Sequence, residues 1–354
     1  VKFKPVLLRE FAAACFVATG VSRPQAAEIA DNLVLADLRG VGSHGVTRIP
    51  IYAERLRAGV VNPKPEPKVV RSFGGLALVD GDNGPGQVVS RFANDHAIGL
   101  ARAHGIGAVT VRNSNHDGIL AAYTAQTAAA GLIGIATTNA PKSMAVFGGR
   151  VPILGTNPLS IALPRASGRP IVLDMATSVV ARGKIVEKAK RGESIPAGWA
   201  LDADGAPTTD AVTAEKGVIL PFSGGKGSGL AIVVEALSGI LSGGLFGAQI
   251  HNLYSDFVNP QGIGHFFLAL DPEVLAEPGA PFAARVDAFA DMLKASPTAS
   301  GFTEILLPGE PEIRLEAANH DGIDLPENVV ADLDEIADRL GVPRPTRPTD
   351  AVPA

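Results

Sequence analysis

His104-Gly105-Ile106-Gly107-Ala108-Val109-Thr110-Val111 is the stretch on which the fold turns. Ile106 to Val111 reads as a strand, because apolar and β-branched residues fill it. A Rossmann domain places Gly-x-Gly-x-x-Gly after a strand, at the opening of a helix. Here the glycine pair precedes the strand, and the third glycine is missing. Two other candidates fail as well. Gly84-Pro85-Gly86 is followed at the required position by Val89, and Gly225-Lys226-Gly227-Ser228-Gly229 has the wrong spacing. The P-loop pattern fails too, since Gly183-Lys184 runs into Ile185 and Gly225-Lys226 into Gly227. A dinucleotide, if bound, requires another scaffold.

Helices and strands alternate outward from that stretch. Leu7 to Thr19 is an amphipathic helix closed by Gly20. Ser22-Arg23-Pro24-Gln25 reads as a capping box opening a second helix that runs to Leu38 and stops at Gly40. Tyr52 to Ala58 is a third, ended by Gly59. Val69-Val70 and Leu76 to Val79 form a hairpin around Gly74-Gly75. Helices are expected at 87–103, 119–130, 179–190, 227–241, 283–293 and 329–340, and strands at 132–138, 171–173 and 265–270. This order implies an α/β or α+β domain between about 65 and 310. The Pro-rich tail Pro343 to Ala354 is expected to fray.

Composition narrows the function. The 354 residues are 46% apolar and 19% charged, which is globular. Basic residues number 31 against 36 acidic, a net charge of −5, which argues against a dedicated nucleic-acid binder. The lone Cys15 reads as a buried structural thiol of an intracellular protein. Val1-Lys2-Phe3-Lys4-Pro5 has no signal-peptide pattern. Gly229 to Ala248 is nearly long enough to span a bilayer, which needs ~20 residues. Its four interior glycines and Glu235 make it a buried helix ending near Ser242-Gly243-Gly244 instead.

Seven histidines occur, with no His-Glu-x-x-His and no cysteine cluster, so no metal site is expected. His96 and His104 lie on a surface helix and read as solvated. His44 is flanked by Gly40, Gly42 and Gly45, where the backbone must turn or approach something closely. Ser43 can orient its imidazole, and Arg48 can clamp a carboxylate bidentately. On a helix His44 and Arg48 would share a face, but Pro50 would disrupt a helix begun at Ser43. The plainer alternative is a capping serine and a surface arginine. His116 and Asp174 follow strands, where sites often sit and where polar residues also cap helices. Gly155-Thr156-Asn157-Pro158 is a polar turn. Gly224-Gly225-Lys226-Gly227 opens a helix and suits an anion, or is a glycine-rich turn with a solvated lysine.

The pieces say more in sequence than singly. Ser43-His44-Gly45, Asn115-His116, Gly148-Gly149, Leu154-Gly155-Thr156-Asn157-Pro158 and Asp174-Met175-Ala176-Thr177-Ser178 come first. Gly183-Lys184, Ile195-Pro196-x-x-Trp199, Thr208-Thr209-Asp210, Gly225-Lys226-Gly227, Gly264-His265-Phe266-Phe267 and Leu307-Pro308-Gly309-Glu310 follow. In this order and spacing the chain resembles, over about residues 5–340, the malate/L-lactate dehydrogenase family that lacks a Rossmann fold. That family includes sulfolactate and ureidoglycolate dehydrogenases and the piperideine-2-carboxylate reductases.

The resemblance implies the sulfolactate-dehydrogenase-like fold, an α/β (α+β) fold that binds NAD or NADP on a central mixed, largely antiparallel sheet. It implies a helical part made of residues 1–65 packed with 310–342, and a cofactor domain with the substrate cleft at 66–310. It also implies a cytoplasmic homodimer acting on a small carboxylate, with no nucleic-acid or membrane partner. Residue by residue, His44 matches the proton donor/acceptor, Ser43 its neighbour and Asp174 a relay or orienting partner. Arg48 matches the substrate-carboxylate contact and Thr156 a second substrate-side contact. His116 matches the histidine assigned as proton acceptor in the ureidoglycolate branch. Asp174, Met175, Ala176, Gly225, Lys226, Pro308, Gly309 and Glu310 match cofactor contacts. Asp117 and Lys142 depart from the family pattern and are expected to reshape the substrate pocket.

The implied reaction is hydride transfer between nicotinamide C4 and C2 of a 2-hydroxy/2-oxo acid, with His44 the preferred acid–base group. Two rivals stand beside it: reduction of cyclic imino acids with the same cofactor, and a non-catalytic nucleotide-binding homologue.

Overall fold

The computed structural model describes residues 1–345 and Arg347. Most of the Pro343–Ala354 tail falls outside the described residues. A seven-stranded sheet organises the middle of the chain. Its order is Lys68–Phe73, Leu76–Asp80, Ile106–Ser114, Ile263–Leu270, Ile133–Thr138, Leu159–Leu163, Ile171–Met175. Every neighbouring pair is antiparallel except Leu76–Asp80 with Ile106–Ser114. The sheet is thus mixed and largely antiparallel, as the resemblance implied.

The one parallel pair is joined by the helix Gly86–His104, and this crossover explains the opening stretch. Gly105 has φ +78 and caps the helix, its N–H donating to Ala101 O at 2.7 Å. A Cβ on Gly107 would lie 2.0 Å from Ala97 O, so only glycine lets helix and strand approach this closely. Both glycines serve packing. On this face Val79, Val109, Val111, Ala136 and Phe267 are fully buried against Ala93, Ala97, Ala101 and Tyr123.

The opposite face carries one apolar rung across six strands. Leu76, Ala108, Leu268, Ile135, Ile161 and Leu173 stand side by side in register. Leu76 is 54% exposed, and the four central side chains are half-buried. Residues Ala236–Ile240 cover one end of this face through Thr110 Oγ1 to Leu237 O and Thr137 Oγ1 to Ser238 Oγ.

A second core gathers both ends of the chain. The helices Pro5–Ala18, Arg23–Leu38, Ile49–Arg57 and Glu327–Leu340 share one buried cluster. Lys2–Phe3 pairs with Ile323–Asp324, and the Val1 amine donates to Leu325 O at 3.0 Å. Cys15 lies in this core, its thiol pushed up to about 12 by burial, which makes it inert.

Several local expectations are corrected. Ser22 ends up before the first residue of its helix as expected, but no capping box forms: its hydroxyl donates to Gln25 Oε1 at 2.9 Å. The segment after Gly225 is an α-helix to Glu235 and a π-turn over Ala236–Ile240. It is not wholly buried, since Ile232, Val233, Ile240 and Leu241 are each more than half exposed. Glu235 is buried and accepts from Asn139 Nδ2 (3.0 Å), Asn157 Nδ2 (2.7 Å) and Gly247 N–H (3.0 Å), so its charge is fully bonded. Among the described residues no helix is long and apolar enough to cross a membrane. His104 is exposed, whereas His96 is half-buried with a buried Nε2 that has no partner among the described residues.

Candidate active site

Asp37, near the end of Arg23–Leu38, fixes the turn that carries His44. Its buried carboxylate accepts the Val46 N–H at 2.8 Å. A Cβ on Gly45 would lie 1.9 Å from Asp37 Oδ1, so position 45 admits only glycine. Burial pushes the Asp37 carboxyl up to about 7. The chain then makes two 3₁₀ turns, Gly42–His44 and Val46–Arg48, before Ile49–Arg57. The helical His44–Arg48 arrangement is therefore not formed. Pro50 sits in the first turn of the next helix, where a missing N–H costs nothing.

The turns still aim both side chains together. Ser43 Oγ lies 2.9 Å from His44 Nδ1, and Arg48 Nε donates to Ser43 O at 2.6 Å. Among the described residues the terminal nitrogens of Arg48 donate to no protein atom. The guanidinium lies 5.4 Å from the Tyr254 ring centre. The His44 imidazole stacks on His116 at 5.4 Å between ring centres, 26° from parallel.

His116 arrives from the loop after Ile106–Ser114. Asn115 anchors that loop by donating to Asn83 Oδ1 (3.0 Å) and Gly84 O (2.9 Å). A Cβ on Gly86 would lie 2.1 Å from Asn115 O, so Gly86, like Gly107, is a packing glycine. The His116 N–H donates to Gln261 Oε1 at 3.1 Å. Its Nδ1 receives the Gly118 N–H at 3.4 Å, and a backbone N–H can only donate. Nδ1 is therefore an acceptor, and the Tyr52 hydroxyl at 2.6 Å donates to it. The ring proton sits on Nε2. Gln87 Nε2 in turn donates to the Tyr52 oxygen at 3.5 Å. Burial, reinforced by Arg48, pushes His44 down to about 4. Burial, the paired imidazole and Arg48 hold His116 well below the usual imidazole range. Both rings are neutral near neutrality.

Tyr52, Gln87 and Gln261 escaped the sequence reading. Tyr52 stands four residues after Arg48, which is the one local signal. Gln87 and Gln261 offered none.

Asp117 does not enter the pocket, contrary to expectation. It is 1% exposed, accepts from Ser90 Oγ at 3.0 Å and lies 3.4 Å from His265 Nδ1. His265 is a bonded core histidine, with Thr138 Oγ1 and Ser114 Oγ each at 2.8 Å. Burial pushes Asp117 up to about 7. The fold thus holds this proton where the unfolded chain has released it, above about pH 4. The contribution to stability is full below about 4 and is lost as pH rises through 7. Asp117→Asn should therefore raise the melting midpoint more at about pH 8 than at about pH 5. Equal gains by calorimetry at the two values would contradict this. Lys142 is exposed on the loop after Ile133–Thr138.

Asp174 is also corrected. Its Oδ2 accepts the Ala121 N–H at 2.8 Å, at the start of Ala121–Ala129, and it bonds neither imidazole. A carboxylate there is favoured by the helix N-terminus. It makes no direct bond to His44.

The remaining candidates form a continuous ledge. Thr177, after Asp174, Met175 and Ala176, donates through N–H and Oγ1 to Thr156 O, both at 2.8 Å. Its own carbonyl accepts Phe222 N–H at 3.1 Å, which ties in the loop leading to Gly225 and Lys226. Val172 N–H donates to Pro308 O at 3.1 Å, which ties in Pro308, Gly309 and Glu310 from the other side. Gly309 has φ +89, and a Cβ there would press on the Val172 backbone. The Glu310 carboxylate is engaged by Lys294 at 2.6 Å and by Leu307 N–H at 3.0 Å. Gly225 and Lys226 are exposed at the N-terminus of Gly225–Glu235, below the Phe147 ring. Asn157, read as an ordinary turn residue, donates to Ala231 O and Glu235.

The chain matches the family model described as malate/L-lactate dehydrogenase over residues 3–334. It is 42% identical to the L-sulfolactate dehydrogenase of Methanocaldococcus jannaschii, over 91% of this chain and 92% of that protein. It is 36% identical to the (2R)-3-sulfolactate dehydrogenase (NADP(+)) of Chromohalobacter salexigens, over 93% and 96% of the two chains. The solved structure of the M. jannaschii sulfolactate dehydrogenase superposes with a TM-score of 0.90 at 40% identity, covering 97% of this chain and 98% of that one.

Proposed function

Because the chain belongs to the malate/L-lactate dehydrogenase family of oxidoreductases, we propose that it interconverts a 2-hydroxy acid and its 2-oxo acid with NAD or NADP. One observation carries the proposal. Arg48, with free terminal nitrogens, stands in the same pair of turns as His44, and His44 stacks on His116. A planar guanidinium fork suits a carboxylate, and an adjacent imidazole suits the hydroxyl of the neighbouring carbon.

The ledge fits a dinucleotide. Lys226 supplies a cation at a helix N-terminus whose first N–H groups have no helical partner, a setting that suits a pyrophosphate. Met175 and Ala176 are half-buried, and Pro308 and Gly309 present backbone rather than bulk. When bound, the cofactor supplies or takes a hydride at nicotinamide C4. The chain's own residues do the rest. Arg48 orients the carboxylate, Thr156 borders the substrate side, and Ser43 holds the His44 ring. A neutral imidazole takes the hydroxyl proton in oxidation and returns it in reduction. His44 was the group preferred from sequence. The hydrogen bonds from Tyr52 and Gln87 behind His116 favour His116 as the proton carrier, with His44 holding the other side of the oxygen.

The half-exposed rung on the second sheet face, with Ile240 and Leu241 beside it, supports a homodimer through that face. An apolar patch of this kind favours a partner over water. Light scattering on the purified chain should give twice the 36.3 kDa of one copy. A monomer would count against this arrangement.

The reaction is tested by a reduction panel. NADH and NADPH are each offered with oxaloacetate, pyruvate, sulfopyruvate and piperideine-2-carboxylate. Turnover of an open-chain oxo acid is the expected result. Turnover of the cyclic imine alone would move the chain to imine reduction, and cofactor binding without any turnover would make it a non-catalytic homologue.

A further inference from the structure

Behind His116 lies a small cavity between the helical core and the loop at 251–261. Its apolar wall is Phe16, Ile29, Leu56 and Val61, and its polar wall includes Tyr52, Arg55, Asn115, His116 and Gln261. Three of these residues carry a buried polar atom with no partner among the described residues: Arg55 Nε, Asn115 Oδ1 and Gln261 Nε2. The amide orientations follow from their bonds. Gln261 Oε1 accepts the His116 N–H, so the free end is the Nε2 donor. Asn115 Nδ2 donates to Asn83 and Gly84, so the free end is the Oδ1 acceptor. The space, about 20 Å³, holds one water and no metabolite. Apolar cavities of this size stay dry, but one bordered by two unpaired donors and an unpaired acceptor does not.

We propose that this cavity is a water site, and that Tyr52 relays protons between that water and His116. The inference rests on His116 as the acid–base group of the proposed reaction. A neutral imidazole that gives up its Nε2 proton becomes an anion unless Nδ1 gains one at the same time. The Tyr52 hydroxyl, 2.6 Å from Nδ1, is placed to supply it. In reduction, charge develops on the substrate oxygen as the carbonyl π bond breaks. The His116 Nε2–H proton moves to that oxygen, and the Tyr52 proton moves to Nδ1. The water's proton moves to the Tyr52 oxygen, and bulk solvent restores the water. One solvent proton is consumed, and the ring is left as its Nδ1–H tautomer. That form accepts the hydroxyl proton at Nε2 when the sequence runs backward in oxidation, and the ring returns to the Nε2–H form before the next reduction. The ionisable groups that face His116 are His44 and Arg48 from the turns, Tyr52, His265 on Ile263–Leu270, and Asp117 next in the chain. Tyr52 acts through His116 and does not touch the substrate.

Two measurements on the full chain decide the matter. A high-resolution crystal structure should show an ordered water within hydrogen-bond distance of Gln261 Nε2, Asn115 Oδ1 and the Tyr52 hydroxyl. Tyr52→Phe keeps the ring and removes the hydroxyl. It should lower kcat for reduction about tenfold or more, with KM and melting midpoint little changed. Its reduction rate should also fall as pH rises from about 6 to 8, since the proton must then come from a rare imidazolium, while the wild type stays flat there. A dry cavity, or a Tyr52→Phe variant with the wild-type kcat and pH profile, overturns the proposal. Failure of the underlying reading gives a different result: the wild type itself turns over nothing. That would overturn the relay along with the reading, while diffraction still decides the water site.

Discussion

Arg48→Met is expected to lower kcat/KM for a 2-oxo acid by about 10²–10³-fold while leaving NAD(P)H affinity unchanged. The size follows from stranding a carboxylate in a partly desolvated pocket, which costs ~2–5 kcal/mol when its charged partner is removed. Arg48 is held by one hydrogen bond, from Nε to Ser43 O, and by its contact with the exposed Tyr254 ring, so the variant loses no core contact and should fold normally. The loss should fall mainly on KM if the carboxylate is bound equally in ground and transition states, and on kcat if the grip tightens as charge develops. Arg48→Lys should recover part of it, because an ammonium keeps the charge and loses the fork. Steady-state kinetics with a cofactor titration reads both. An unchanged kcat/KM would remove Arg48 from the site.

His116→Ala should reduce kcat by about 10²–10⁴-fold, the usual contribution of positioned proton transfer. Cofactor affinity should persist, since the ring is bonded to Tyr52 and stacked on His44 rather than to the ledge at Thr156 and Thr177. His44→Ala, measured beside it, should lose less, because among the described residues Ser43 rather than a tyrosine bonds the His44 ring. Reversal of that order would return the proton to His44, the choice made from sequence. The two imidazoles are mutually repulsive when charged, so the wild-type pH profile should not show two ionisations near the ordinary imidazole value.

Much of the fold could be read from local pattern. The order of glycines and apolar runs around Ile106 excluded a Rossmann domain correctly, but why Gly107 must be glycine was invisible. That reason is the Ala97 carbonyl of a helix earlier in the chain, a tertiary contact. Leu159–Leu163 and Glu310–Ala318 escaped notice because the one is short and the other follows a turn whose proline and glycine mask its start. The exposed flank of the helix after Gly225 was misread because apolar runs do not say whether a second copy covers them.

The polar residues divide in the same way. Ser43, His44 and Arg48 were legible because their glycines signal a tight turn, and the turn exists to close over Asp37. Asp174 makes no direct bond to an imidazole because a carboxylate at a strand end serves a helix N-terminus equally well, and the Ala121 N–H takes it. Asp117 was expected in the pocket on its position beside His116. Consecutive residues of an extended loop point apart, and it packs behind with Ser90 and His265. Gln261 lies 145 residues from His116, and nothing local joins them.

The central claim is hydride transfer to a substrate carbon held between Arg48 and the imidazole pair. It is tested most directly with reduced cofactor carrying deuterium at nicotinamide C4, incubated with the protein and the oxo acid it turns over best. Mass spectrometry of the product should find one deuterium at C2 when the label is on the transferred face, and none when only the solvent is deuterated. A 2-hydroxy acid without cofactor-derived deuterium, or no product from any oxo acid or imine while the cofactor binds, would contradict the account.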